Sequence, residues 1–119
     1  MQENLQELDQ QQDVGPRSVP FASVSKVKHI QSDGVYIKST FVPQNIKFYS
    51  KQTPDNHIAI LAHGELVMYD GDTKTRFVAP ANYVIPANSR ISFYTLTDCV
   101  FYCVHATDET DVTELDRVF

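Results

Sequence analysis

The sequence predicts an all-β domain, a sandwich or small barrel of short strands. Short apolar runs rich in Val, Ile, Phe and Tyr are separated by Gly, Pro, Asn and Asp, with turns about every 8–12 residues. The chain contains 7 Phe and 6 Tyr but no Trp, and such aromatic residues favour half-buried strands over disorder. A length of 119 residues allows one domain of this kind and a tail.

Eight segments of the sequence have strand character. The run HIAILAH at 57–63 is apolar on both faces, which suits a strand in a barrel wall. Pro43 ends the first segment, and Asp70-Gly71 is a tight-turn signal between two later ones. The predicted strands are 34–42, 45–49, 57–63, 65–69, 75–78, 83–85, 90–96 and 99–106.

The start of the chain is predicted to form an extended arm, residues 1–31. It begins with a polar, Gln-rich segment that has too little apolar content to order itself. One or two short extended runs follow, with Phe21, Val24 and Val27 as their apolar anchors. Where the arm is ordered, we expect another copy of the chain, or a larger assembly, to hold it in place.

The barrel itself is predicted at residues 32–107, and a short C-terminal helix at 108–119. The helix is indicated by Asp111-Val-Thr-Glu114, which has an acceptor at the N-cap and Glu three residues later, as in a capping box. The chain is thus divided into an arm, a barrel and a helical segment.

Composition excludes several classes of partner. The formal net charge is −5 with no basic run, so neither nucleic acid nor an anionic membrane is expected as a partner. No stretch approaches the ~20 apolar residues of a membrane helix, and the polar start has no character of a secretion signal. If Cys99 and Cys103 share a strand, their Cα atoms lie about 13 Å apart, too far for a disulfide. We expect both to be reduced thiols.

Three runs of the sequence resemble the cupin jelly roll. They are 57–71 (HIAILAHGELVMYDG), 79–90 (APANYVIPANSR) and 99–106 (CVFYCVHA). More narrowly, their order and spacing resemble the small cupin-like proteins of tailed bacteriophages and prophages. The resemblance covers roughly residues 34–116 and implies a cupin-like jelly-roll barrel.

The metal ligands that this resemblance implies are largely missing. In the usual cupin, two His and one Glu in a first motif and one His in a second bind a metal. Counting back from Gly64, the Glu position holds His57, and the two His positions fall near Ser50 and Gln52. The His position of the second motif holds Ile91. Because a catalytic divalent metal generally needs three or more converging ligands, we expect no cofactor and no enzymatic activity.

A few residues remain weak candidates for a metal or ligand site. Cys103 and His105 share one side of the last strand and could approach His57 across the barrel. Asp55 would be a further ligand if the strand reached that far, although its neighbours indicate a turn. A structural role is the competing interpretation for each of the two histidines, and Cys103 lies in an apolar run that favours packing.

The mouth of the barrel offers a second kind of candidate site. Tyr36, Arg90 and Tyr94 could line an opening that binds a ligand or a sugar. The competing interpretation is that tyrosines in strands are half-buried packing residues and that Arg90 is an exposed turn residue.

The sequence therefore predicts a non-enzymatic phage structural or accessory protein, of the capsid-decoration or cement type. It would bind through its arm and barrel exterior to further copies of itself and to other capsid or tail proteins. It would be located in the virion, after assembly in the host cytoplasm. Two alternatives stay open: a degenerate metal-dependent cupin enzyme acting on a small molecule, and a carbohydrate-binding module.

Overall fold

The computed structural model describes residues 21–119. Within this range the chain forms a short helix α1 (Phe21–Val24), strands β1 to β9 and a C-terminal helix α2 (Val112–Val118). The strands are β1 (Lys26–Ser32), β2 (Val35–Val42), β3 (Lys47–Tyr49), β4 (His57–His63), β5 (Glu65–Asp70), β6 (Thr73–Val78), β7 (Ala81–Ile85), β8 (Ser92–Thr95) and β9 (Cys99–Ala106).

The strands form two antiparallel sheets. Sheet A has the order β1-β2-β9-β4-β7, and sheet B has the order β3-β8-β5-β6. The chain crosses repeatedly between the sheets, which face each other as in a jelly roll. The predicted all-β fold is confirmed. Neither helix among the described residues has the length and hydropathy that a membrane crossing requires.

Residues 21–32 differ from the prediction. Sheet A begins at Lys26, before the predicted start of the barrel, and the segment ahead of it is a helical turn rather than an extended run. The turn places Phe21 and Val24, three residues apart, on one side. Both pack against a buried cluster that includes Phe48, whose ring centroid lies 4.8 Å from that of Phe21. Tertiary packing thus selects the helix. The rest of the predicted arm, residues 1–20, lies outside the described residues.

Left-handed residues fix the turns that the sequence indicated. Gly71 (φ 60°) begins the two-residue loop between β5 and β6, as Asp70-Gly71 predicted. Asn88 adopts φ 60°, the conformation that Asn tolerates best after Gly. At Gly64 (φ 99°) a Cβ would lie 2.2 Å from the carbonyl oxygen of Asp98, so no larger residue fits there.

The core lies between the sheets and consists of side chains from alternate strand positions. Three clusters fill it, one around Val42 and Phe48, one around Leu61 and Leu66, and one that includes Ile91. At about 25 cal/mol per Å² of buried apolar surface, these side chains supply the main force that holds the sheets together.

The C-terminal helix begins as the sequence indicated, with one difference. Asp111 is the N-cap, and its Oδ1 accepts from the backbone N–H of Thr113. The N–H of Asp111 itself donates to Glu109 Oε2, whereas Glu114 pairs with Arg117 instead of completing a capping box. Leu115 is fully buried and docks the helix on the barrel.

Candidate binding cavity and its histidine cluster

The two sheets enclose a cavity of about 340 Å³. Sheet A contributes inward side chains of β2, β4, β7 and β9, and sheet B contributes those of β3, β5, β6 and β8. Most of the lining is apolar, with Leu66, Met68, Phe77, Phe93 and Phe101 among its members. A volume of this size lies within the range of small-molecule sites, ~300–1,000 Å³.

The character of the wall changes along its strands. The inward residues of β9 run from Phe101 through Cys103 to His105, from aromatic to imidazole. On the adjacent strand β4 they run from Leu61 to His57. The cavity therefore has an apolar end and a polar end.

Two histidines meet at the polar end. Ile58 pairs with Val104 between the antiparallel strands β4 and β9. The preceding residue of β4, His57, and the following residue of β9, His105, therefore lie side by side on the inner face. Their ring centroids are 4.3 Å apart, and the residues are only 6% and 1% exposed. The sequence predicted that His105 could approach His57 across the barrel, whereas the structure brings the two together as neighbours on adjacent strands.

Asp55 completes the cluster from the loop before β4. Its Oδ2 lies 2.8 Å from Nδ1 of His105. Because a carboxylate only accepts, Nδ1 of His105 carries the proton and its Nε2 is left as an acceptor. Asp55 Oδ1 is buried without a hydrogen-bond partner among the described residues, 3.6 Å from Nδ1 of His57. Thr53 Oγ1 lies 3.3 Å from that same His57 atom.

The cluster favours a neutral imidazole beside an ionised carboxylate. Burial lowers the pKa of His105, and the hydrogen bond to Asp55 only partly opposes this effect. Burial alone would raise the pKa of Asp55, but hydrogen bonds from His105 and Thr53 and the nearby imidazoles outweigh it, so that pKa is lowered. At neutral pH the site therefore presents a negative charge and unprotonated ring nitrogen, the states in which these groups bind metals.

The C-terminal helix covers the polar end. The ring of Phe119 packs on His105 with centroids 4.3 Å apart. Lys38 points inward from β2, where its Nζ donates to the Phe119 carbonyl oxygen at 3.2 Å and lies 3.1 Å from Asp116 Oδ1. The sequence analysis did not identify Lys38 or Phe119, because their proximity depends on how α2 docks. The only indication in the sequence was Lys38 itself, a lysine at a strand position that faces the interior.

Tyr36, a predicted mouth residue, instead lies in the core behind His105. It is fully buried, and its hydroxyl lies 2.7 Å from Nδ1 of His29. Its ring stacks on His105 at 6.0 Å. Burial, followed by the negative field of Asp116 and Cys103, raises the pKa of Tyr36 to about 12. Tyr36 is therefore a neutral hydrogen-bonding group at the polar end.

The other two predicted mouth residues lie elsewhere. The guanidinium of Arg90 stacks over the ring of Tyr49 at 4.3 Å. Tyr94 points to the outer side of sheet B, opposite the inward Phe93, and donates its hydroxyl proton to Asn45 Oδ1 at 3.1 Å. The structure does not bring Tyr36, Arg90 and Tyr94 together in one opening.

Cys103 lines the cavity but is not one of the converging donors. It points inward beside Ala59, and burial raises the pKa of its thiol to about 11. The thiol is therefore protonated at neutral pH and behaves as a small apolar side chain. Both cysteines are free, as the sequence predicted.

Three of the four positions that bind metal in the usual cupin do not fit a metal here. Ser50 Oγ accepts from the backbone N–H of Ile91 at 2.9 Å, and Gln52 donates to the carbonyl oxygen of Asn88 at 3.1 Å. These polar side chains are used for turn contacts, and Ile91 is a core residue.

A set of residues that shares only His57 with the usual positions does fit a metal. Asp55, His57 and His105 each offer a ligand atom, and these atoms lie within 4.8 Å of one another. Two imidazoles and a carboxylate suit Zn²⁺, Fe²⁺, Mn²⁺ or Ni²⁺. The unpartnered Asp55 Oδ1 is the oxygen that a cation between the rings would satisfy.

Comparison with known proteins identifies the fold. No family model and no curated protein matches the sequence. A cupin-2 domain protein from Shewanella frigidimarina superposes with a TM-score of 0.58 and 15% identity, over 69% of this chain and 80% of that one. A cupin superfamily protein from Desulfitobacterium hafniense gives a TM-score of 0.59 and 18% identity, over 77% and 92%.

A eukaryotic domain gives the same result. The cupin domain of Cnp3 from Schizosaccharomyces pombe superposes with a TM-score of 0.61 and 15% identity, over 84% of this chain and 74% of that one. The chain therefore has the cupin fold, with a histidine–aspartate cluster in its barrel. The likeness at these identities concerns the fold alone.

Proposed function

We propose that this protein binds a small, largely apolar molecule in its barrel, beside a divalent metal ion held by Asp55, His57 and His105. The observation that carries the proposal is the convergence of three donors at one end of an apolar cavity of about 340 Å³. The proposal departs from the expectation of no metal, because Asp55 lies against His105 rather than in a turn remote from it.

The distribution of polarity supports a ligand with one polar end. An apolar body would contact Leu66, Phe93 and Phe101, and its polar group would reach the histidines. A bound cation supplies a Lewis-acid anchor for an oxygen or nitrogen atom of the ligand. The chain's own Lys38 adds a positive charge at the same end. The proposal assigns binding and no reaction.

Metal titration tests the site. Protein freed of affinity tag and purified without chelator would be titrated calorimetrically with Zn²⁺ and Co²⁺, and its metal content measured by elemental analysis. We expect binding of one ion per chain, with affinity reduced at least ~10-fold in Asp55→Asn and His57→Ala, since loss of even an outer-shell partner costs 10–100-fold.

The matched control is His63→Ala. His63 lies at the other end of β4, is exposed and is no member of the cluster. Its loss should leave the affinity unchanged, which separates the cluster from general histidine binding. Absence of stoichiometric binding, or equal affinity in His57→Ala and the unaltered protein, would contradict the proposal.

A second proposal is the role predicted from sequence, a structural or accessory component of a phage particle. It is supported by the sequence likeness to small phage cupins and by the position of β1. This strand lies at the edge of sheet A, all seven of its residues are exposed, and it forms the end of the segment predicted as the arm. An exposed edge offers main-chain groups for pairing with a strand of another protein.

Particle association tests this second role. Phage particles from a strain that carries the gene would be purified, and the chain would be quantified by mass spectrometry. We expect the full chain in the particles and its loss when residues 1–20 are deleted, a deletion that keeps β1 and the barrel. Equal incorporation of both forms, or absence of the full chain from the particles, would refute this role.

A further inference from the structure

The outer face of sheet A carries a continuous apolar row across all five strands. The pairing register aligns one residue from each strand, β1 to β2 to β9 to β4 to β7, and every one is a β-branched aliphatic residue. In that order they are Ile30, Ile37, Val104, Ile58 and Val84. Three of them are markedly exposed: Ile30 49%, Ile58 48% and Val84 59%.

The rest of this outer face extends the row. Next to Ile58 and Val104 lie Ile60 and Tyr102, a cross-strand pair. The outward positions of β2, β9, β4 and β7 contain no Asp, Glu, Lys or Arg; the charged outward residues of the described sheet are Lys26 and Lys28, both on the edge strand β1. Depletion of charge at the centre of a patch is the compositional mark of an interface core.

The outer face of sheet B shows the opposite composition. Lys74 and Arg76 lie on the outward side of β6, and Arg76 forms an ion pair with Glu65 of β5. Lys47 adds a further charge on β3, beside Tyr94. A face with these charged side chains is suited to contact with solvent. The two outer faces of one barrel therefore differ in a way that solubility alone does not require.

We propose that the outer face of sheet A is the interface of a two-fold symmetric homodimer, in which the apolar rows of two copies pack against each other. Five strands at ~4.8 Å spacing, about 16–26 Å long, give a face of roughly 500 Å². Two such faces bury roughly 1,000 Å², which is about the lower bound for a specific interface. A second copy fits because an apolar, uncharged face is complementary to itself.

A two-fold axis along β9 keeps the lysines of the two edge strands apart. Since β9 is the central strand of sheet A, a two-fold axis along β9 places β1 of each copy opposite β7 of the other. By the pairing register, Lys28 of one copy then lies level with uncharged Asn82 of the other and Ile30 lies level with Val84, so no lysine faces another.

The chain offers a matched pair of variants for the test. Val84, on sheet A, and Val78, on sheet B, are the same residue type with the same exposure, 59% each. Sedimentation equilibrium and light scattering over a wide concentration range should show the full chain at twice its mass of 13.5 kDa. Val84→Asp should weaken the dimer at least ~10-fold, since burying an unpaired charge is costly, and Val78→Asp should leave it unchanged.

Two further measurements keep the proposal falsifiable if an Asp variant unfolds. Circular dichroism checks the fold of each variant. Val104→Cys, at the centre of the row, should be joined between copies by a thiol-specific cross-linker that spans ~10 Å, the distance between packed sheets, whereas Val78→Cys should not.

Three results would overturn the dimer. The first is an unaltered chain that stays monomeric at all concentrations, and the second is equal weakening by Val84→Asp and Val78→Asp. The third is an unaltered monomer that begins to dimerise once residues 1–20 are removed, which would place that segment on the face in place of a second copy.

Discussion

The two ends of the barrel interior are built on the same strands but have different chemistry. On β9 the inward positions change from Phe101 to His105, and on β4 from Leu61 to His57, within one strand length. The apolar end packs into the core clusters, whereas the polar end consists of hydrogen-bonded, titratable groups under a helix. Stability and binding chemistry are therefore assigned to opposite ends of one cavity, and substitutions at each end should have separable effects.

The largest expected effect lies at the apolar end. Leu66 is 5% exposed and packs with Leu61 and Cys99. Leu66→Ala should lower the free energy of unfolding by about 3 kcal/mol, because the removed methyl groups leave a cavity. Chemical denaturation measures this change. The metal affinity of the folded protein should stay within twofold, and a large loss of metal affinity would show that the two ends are not independent.

His105 should be the most costly single substitution at the polar end. His105→Gln removes the hydrogen bond to Asp55 and the ring contact with Phe119. We expect a loss of about 2 kcal/mol at pH 7.5, typical of a hydrogen bond to a charged group. His63→Gln, the same change at an exposed site, should cost under about 0.5 kcal/mol. Equal costs for the two variants would contradict the role of the cluster.

The polar end should also make stability depend on pH. The folded pKa of His105 lies below the ordinary value of 6.5, so the unfolded chain takes up a proton first as the pH falls. This contribution to the free energy of unfolding is complete above pH 6.5 and declines below it. The lowered pKa of Asp55 adds a second decline, which begins below about pH 3.8.

Urea titrations between pH 5 and pH 8 isolate the histidine part. The decline between pH 6.5 and pH 5 should flatten in His105→Gln and persist in Leu66→Ala. Persistence of the full decline in His105→Gln would assign it to another group and contradict this explanation.

The smallest expected effect concerns the cover over the polar end. Asp111→Ala removes the N-cap of α2 and should cost about 1 kcal/mol. The loss should be local: amide exchange in Val112–Val118 should accelerate while the strands stay protected. Asp108→Ala, just ahead of the helix, is the control. Uniform acceleration across the barrel would show instead that α2 is part of the core.

The sequence predicted the strands best where turn residues bound both ends. The predicted 57–63 and 99–106 coincide with β4 and β9, since Asn56 and Gly64 flank the former and Asp98 precedes the latter. The helical turn at Phe21–Val24 was not predictable, because four residues carry no periodicity and its packing on Phe48 is tertiary.

The candidate site was predictable only in part. Strand alternation places His57 and His105 on the inner face, and that much follows from sequence. The position of Asp55 depends on the path of a loop, and that of Phe119 on how α2 docks, neither of which has a local signal. The apolar row needs the register of five strands, which only the folded sheet defines.

The corner at Gly64 makes the barrel sensitive to insertions and deletions. Leu61 is the last core side chain before the corner and Leu66 the first after it, an odd separation that strict alternation forbids. The register shift between Leu61 and His63, together with the left-handed Gly64, absorbs the extra residue. Deletion of one residue here would exchange the two faces of β5, so that Glu65 would point into the core in place of Leu66. Turns usually accept length variation, but this corner requires a fixed number of residues.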